Sequence, residues 1–226
     1  MDVGFFGNLT ATGVVRNVRL MDVNIIGNRN VGSVTGTSFG QISNVFASGS
    51  AEALGEGTYD YAGGLVGVNN ASITQSISAV NVRGTKSAGY VGGIAGYKMR
   101  GTVSQSYATG QVDGLSRVGG LVGYNSIGTV SNSYSTGSVT TTVNRAGGLV
   151  GQNAGQVTNS YSTGLVTGST QSGGLIGINS GTVTKLKNKT VYYLLESISN
   201  NKGVSRAIRK RLFYKGTEIG FQDGLV

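Results

Sequence analysis

Cysteine, histidine, proline and tryptophan are all absent from this chain of 226 residues. Without cysteine no disulfide can form, and the redox compartment is left open, since many secreted bacterial proteins also do without them. Zinc sites built on cysteine and histidine are excluded. The absence of proline fits a chain that is mostly hydrogen-bonded strand, because a residue without an N–H interrupts a ladder. Charge is sparse, at 12% of residues, and unevenly spread. Residues 1 to 181 carry nine Lys and Arg against six Asp and Glu, whereas residues 182 to 226 carry nine against three. The basic character belongs to the tail, and it reads as a solvated segment, with no nucleic acid expected as a partner. No apolar run approaches the roughly 18 residues of a membrane-crossing helix. The N-terminal MDVGFFGN has neither the basic nor the apolar region of a signal peptide, and it opens inside a repeat, as expected of a piece of a longer protein.

Glycine is abundant instead. The chain holds 40 glycines against 38% hydrophobic residues, a mixture that flexible linkers share. Here, however, the glycines recur in register with Val, Ile, Leu and Tyr, which a random coil would not require. VGSVTG at 31, AGGLVG at 62, VGGIAG at 91, VGGLVG at 118, AGGLVG at 146 and SGGLIG at 172 are separated by 31, 29, 27, 28 and 26 residues, and VGFFG at 3 adds a seventh copy. A period of this size marks units that cannot bury an apolar face alone and do so by stacking.

Within a unit, two small residues precede two apolar ones, such as Leu121 and Val122 or Leu149 and Val150, then a glycine and a turn that often carries Asn69, Asn125, Asn153 or Asn179. Gly and Asn tolerate positive φ, so these positions are expected to be corners. The segment that follows, of the form VSNSYSTG, alternates. Val130, Asn132 and Tyr134 share one parity and Ser131, Ser133 and Ser135 the other. Period 2 predicts a strand with Val, Asn and Tyr inward and the hydroxyls outward. A short third strand closes the unit. Without a hairpin turn between long runs, such units wind around rather than meander. The expected fold is all-β, a right-handed parallel β-helix of about seven coils over residues 1–184.

Two inward columns are expected to hold the register. Asn17, Asn44, Gln75, Gln105, Asn132 and Asn159 align as a ladder of side-chain amides, a structural lock that satisfies groups costly to bury alone. Phe46, Tyr107, Tyr134 and Tyr161, with Ile77 interposed, align as a stack of core rings. Residues 185–226 break the repeat and form the basic tail. Val204, Ile208 and Leu212 fall at helical spacing, predicting a C-terminal cap with a short helix over the last coil and its unpaired strand edges.

Catalysis on a β-helix needs clustered carboxylates, as an acid and base pair or as calcium ligands. Of the six acids in residues 1 to 181 none recurs in an aligned column, and only Glu56 and Asp60 share a loop, in the insertion EALGEGTYDYAG. GGLVG lacks the GxGxxG or Walker pattern of a nucleotide loop. No catalytic, metal or cofactor-binding residue is therefore assigned. The candidate binding face is the outward hydroxyl grid: Ser104 and Ser106; Ser131, Ser133 and Ser135; Thr158, Ser160 and Ser162. Such a grid suits a carbohydrate contact or an ice-binding plane, and it is also what a solvated strand face of small residues looks like.

Five copies retain the G-[LI]-[VAI]-G core and three retain SY[SA]TG. Over about residues 3 to 181 the pattern GGLVGxNxGxVxNSYSTGxV resembles the GLUG-motif repeat of bacterial surface and secreted proteins, including filamentous-haemagglutinin-like adhesins. The resemblance implies a rigid, non-enzymatic structural or adhesive array outside the cell. Host-cell glycans or surface proteins would be its partners, and an isolated piece would be monomeric. The alternatives are a polysaccharide lyase or hydrolase and a hydroxyl-array binder of ice or carbohydrate.

Overall fold

The computed structural model describes residues 1–55, 60–85, 88–168 and 170–185, and the backbone of three further strands, Leu194–Leu195, Ile208–Tyr214 and Thr217–Gly224. Repeats stack as expected. One face is a seven-stranded sheet with one strand per repeat: Phe6–Leu9, Thr35–Ser38, Val66–Asn69, Ala95–Lys98, Val122–Asn125, Val150–Asn153 and Ile176–Asn179. Each pairs in parallel with its neighbour one repeat away, as Val122 does with Val150. The remaining strands of the coils form the other walls, again in parallel, with Val118 opposite Ala146 and Val139 opposite Val166. The chain is a parallel β-helix.

The core runs along the axis. Val31, Leu65, Val91, Ile94, Leu121 and Leu149 of the glycine-rich segment are fully buried, and Ile73, Val103, Val130 and Val157 meet them from the opposite wall. The interior is narrow enough that side-chain size is fixed on both sides. Gly120 faces Ser135 across the core, and a Cβ there would also press on the Gly148 carbonyl of the next coil. The small residue after the Tyr and the second glycine of the GG pair are therefore one packing unit.

The structure corrects the reading of VSNSYSTG. Asn17, Asn44, Gln75, Gln105, Asn132 and Asn159 all have φ between 49° and 57°, in the left-handed region. They are the corners of the coil rather than an inward ladder. Each turns the chain and resets the alternation, so the expected long strand is two, Thr129–Ser131 and Tyr134–Ser135 in one coil and Gln156–Thr158 and Tyr161–Ser162 in the next. After the corner the parity is inverted. Ser106, Ser133, Ser135, Ser160 and Ser162 are buried, while Tyr107, Tyr134 and Tyr161 are half-exposed. Only Ser104, Ser131 and Thr158, which precede the corner, keep the expected outward orientation. Of the corner amides only Asn44 and Asn17 bond side chain to side chain among the described residues, at 2.7 Å.

The buried serines do what the amides were expected to do. Ser133 Oγ donates to its own coil's Ser131 carbonyl at 2.7 Å and accepts the Ser106 N–H at 3.2 Å. Ser76, Ser106 and Ser160 repeat the arrangement. A left-handed corner turns N–H groups out of the strand ladder, and a hydroxyl one coil away supplies the acceptor that a buried N–H requires. A true amide ladder also exists, on the residues expected to be corners. Asn69, Asn125 and Asn153 are fully buried, and Asn125 Nδ2 donates to Asn153 Oδ1 and Asn153 Nδ2 to Asn179 Oδ1, each at 2.7 Å.

In the tail, Ile208–Tyr214 is a strand, antiparallel to Thr217–Gly224, not the expected helix. Helical spacing of three apolar residues is too short a signal to outweigh β-branched and aromatic content with a pairing partner at hand. Val204 lies outside the described residues.

Candidate functional site

With five of its eight members inside the core, the hydroxyl grid is not a surface. Glu56 lies outside the described residues, and Asp60 is buried. No group of three or more Asp and Glu able to hold a metal ion occurs among the described residues. What the coil displays instead is aromatic and cationic.

The first display is the ring column. Tyr107, Tyr134 and Tyr161 stack at 4.6 and 4.9 Å, with interplanar angles of 6° and 4°. Their spacing is the coil repeat itself, so the fold dictates the stack. Burial, and then the neighbouring Tyr107 and Tyr161 phenols, push the Tyr134 hydroxyl above its ordinary titration range. Because each ring covers the next, the column offers edges and hydroxyls rather than open ring faces. A second display is a shallow depression of about 240 Å³ lined by Glu52, Arg83, Gln111 and Asp113, in which Arg83 and Glu52 lie 4.0 Å apart and Gln111 Nε2 donates to Asp113 Oδ2 at 2.8 Å.

The third is the edge at which the glycine-rich segments turn. The residue just before each small pair forms one column, Tyr61, Tyr90, Arg117, Arg145 and Gln171. The residue just after each G-[LI]-[VAI]-G core forms a second, Val68, Tyr97, Tyr124, Gln152 and Ile178. The glycine between them, Gly123 for instance, is close against the backbone of the opposite strand, which brings the two columns together. Tyr61 and Tyr90 stack at 5.0 Å, Tyr97 and Tyr124 at 5.5 Å, and Tyr90 meets both Tyr97 and Tyr124 edge-on. The Arg117 guanidinium continues the first stack, 4.8 Å from the Tyr90 ring centre. Its Nε donates to Gln152 Oε1 at 2.7 Å, and Arg145 Nη1 donates to the same oxygen at 3.2 Å. The four tyrosines, the two arginines and Gln152 are half-exposed.

This edge was open to discovery in the sequence. Aligning the positions flanking the glycine core puts Tyr and Arg in register, and Arg117 and Arg145 are the only charged residues between 114 and 181. The Ser-rich strand is the more conspicuous pattern in the sequence, but its hydroxyls are mostly internal.

Among the described residues one cation is inside. Lys98 takes the amide-ladder position between Asn69 and Asn125, is fully buried, and donates from Nζ to the Gly101 carbonyl at 2.7 Å. The space for its ammonium exists because residue 128 is glycine, where a Cβ would strike Nζ. Desolvation lowers its pKa to about 7.

Comparison with known proteins bears on the repeat rather than on this edge. Residues 114–140 and 142–167 match the GLUG motif. An 81-residue stretch, 35% of this chain, is 38% identical to halomucin of Haloquadratum walsbyi, of whose length it spans 1%. A crystal structure from Bacteroides ovatus, provisionally assigned as an immunoglobulin A1 protease, superposes with a TM-score of 0.52. It is 21% identical, and the match covers 79% of this chain and 62% of that one. At that identity the likeness is one of fold.

Proposed function

Starting from a β-solenoid that carries the GLUG motif twice in its central coils, we propose that the chain is a non-enzymatic structural and adhesive module of a surface or secreted protein. One observation carries the reading: the polar residues of the repeat are occupied by packing. Buried serine hydroxyls bind the coil corners, buried asparagines bind coil to coil, and the outside carries rows of half-exposed rings with two arginines among the remaining Ser, Thr and Gln. Such a surface can hold a partner, and no acid and base pair accompanies it among the described residues. The GLUG match and the halomucin similarity support a repeat module outside the cell.

Purified chain is expected to bind cells or immobilised glycans and to leave them chemically unchanged. Failure to bind any member of a broad glycan and cell panel would reduce the module to a scaffold. Release of new reducing or unsaturated sugar ends from a bound polysaccharide would replace the adhesive reading with the enzymatic one.

A further inference from the structure

We infer that the edge around Arg117 and Arg145 is a binding site for an anionic polysaccharide. The guanidinium groups hold carboxylate or sulfate groups, and Tyr90, Tyr97 and Tyr124 hold the sugar rings. The inference rests on the adhesive reading and gives it a place and a ligand class.

The placement of charge is the first argument. Residues 114 to 181 contain no charged side chain except Arg117 and Arg145, so solubility there is supplied by Ser, Thr, Asn and Gln. The register sets these two arginines one coil apart in the same column, between the aligned pairs Ser116–Asn144 and Val118–Ala146. Like charges at roughly the 4.8 Å strand spacing repel. Neither has a carboxylate partner among the described residues; Gln152 and Gln171 orient them through neutral oxygens. The terminal nitrogens of Arg117 make no hydrogen bond among the described residues and are held ready for an oxyanion, two of whose oxygens a guanidinium grips with parallel bonds.

The backbone gives an independent argument. Arg117 and Arg145 have φ of 49° and 61°. Asn and Gly are the residues least strained at such a position, as at the corners Asn132 and Asn159, while Gln171 holds it in the next coil of the same column. An arginine held there is strained, and strain of this kind collects at ligand sites.

Shape selects a polymer. The rings and guanidinium groups run along the axis in two facing columns through successive coils, a linear strip rather than a cavity. Tyr presents an apolar ring with a hydroxyl tip, suited to sugar rings that are apolar on one face and hydrogen-bonding at the rim. A nucleic acid would call for many phosphate-neutralising side chains along the strip, and two do not supply them.

The test titrates the purified chain, by calorimetry at low salt, with polygalacturonate, heparin, neutral dextran and poly-glutamate. Binding is expected to polygalacturonate or heparin, whichever anion the site prefers, to weaken with added salt, and to fall at least tenfold in the Arg117→Gln, Arg145→Gln double variant. An Arg83→Gln control, which removes a cation outside the two columns, keeps wild-type binding. Thermal melting verifies that the double variant is folded. If it is not, Tyr97→Ser and Tyr124→Ser are read instead, with a loss of at least severalfold expected. Undiminished binding in the folded variants, equal binding of dextran, or equal binding of poly-glutamate overturns the inference while leaving adhesion in place. Binding to no saccharide and no cell surface removes both.

Discussion

At the residue scale the coil depends on where left-handed backbone is tolerated and on what a buried position can accept. Asn132 sits at φ 49°. Replacement by glycine, which needs no help there, is expected to change stability by only a few tenths of a kcal/mol. A β-branched residue should cost about 1–3 kcal/mol, measured by urea unfolding of Asn132→Gly and Asn132→Val. Lys98 makes the opposite case. Its folded pKa is about 7, below the unfolded value of roughly 10.4. Below pH 7 both states carry the proton and the desolvation penalty is fully present. Between pH 7 and 10 the unfolded chain holds a proton that the folded chain has lost, so stability rises with pH across that window. Melting temperature should climb from pH 7 to 9.5 in the wild type, and the climb should vanish in Lys98→Asn. That variant should also be more stable at pH 7 by a few kcal/mol, because an amide at 98 could donate to Asn125 Oδ1, which has no partner among the described residues. A Lys98→Asn melt that keeps the slope would assign the pH dependence to other groups.

At the scale of the strand and its corner, hydroxyls and amides act as columns, and a column is tested by interrupting it. Ser133→Ala removes the acceptor of the Ser106 N–H. Leaving a buried N–H unpaired should cost about 1–3 kcal/mol, against near zero for Ser131→Ala on the half-exposed side of the corner. Equal costs would mean that the inversion of parity at Asn132 is misplaced. The outer rings are held less tightly to the fold. Tyr134→Leu should lose about 0.5–1.5 kcal/mol of stacking beyond what its area explains, read from the same unfolding series.

At the scale of the molecule the coil is the unit of construction, because contacts run between neighbours and the register repeats. Val118 lies opposite Ala146 and Gly119 opposite Gly147. Deleting residues 119–146 therefore joins Val118 to Gly147 in the same relation that Ala146 has to it. The shortened chain is expected to fold cooperatively, with a smaller urea m-value in proportion to the surface lost. Deleting half as many residues should abolish the β circular dichroism, since every following strand would present the wrong face. A surviving half-coil deletion would show that the stacks tolerate slippage.

The sequence by itself determined the repeat, its length, the parallel stacking and the buried Val, Leu and Ile of the glycine-rich segment, because periodic apolar positions can be buried only by equivalent neighbours. It also identified which residues align. Tyr107, Tyr134 and Tyr161 do stack, and Asn132 and Asn159 do share a column. Only the tertiary structure decided which way those columns face. Strand alternation assigns sides correctly until a residue enters the left-handed region, and nothing in the pattern VSNSYSTG distinguishes an asparagine inside a ladder from one that turns the chain. That single conformational choice exchanged serine for tyrosine on the outside and exchanged the corner asparagines for the buried ones. It also moved the candidate site from a hydroxyl face to the edge where Arg117 and Arg145 stand beside the tyrosines, an arrangement that exists only once two columns seven residues apart in sequence are brought together by the glycine between them.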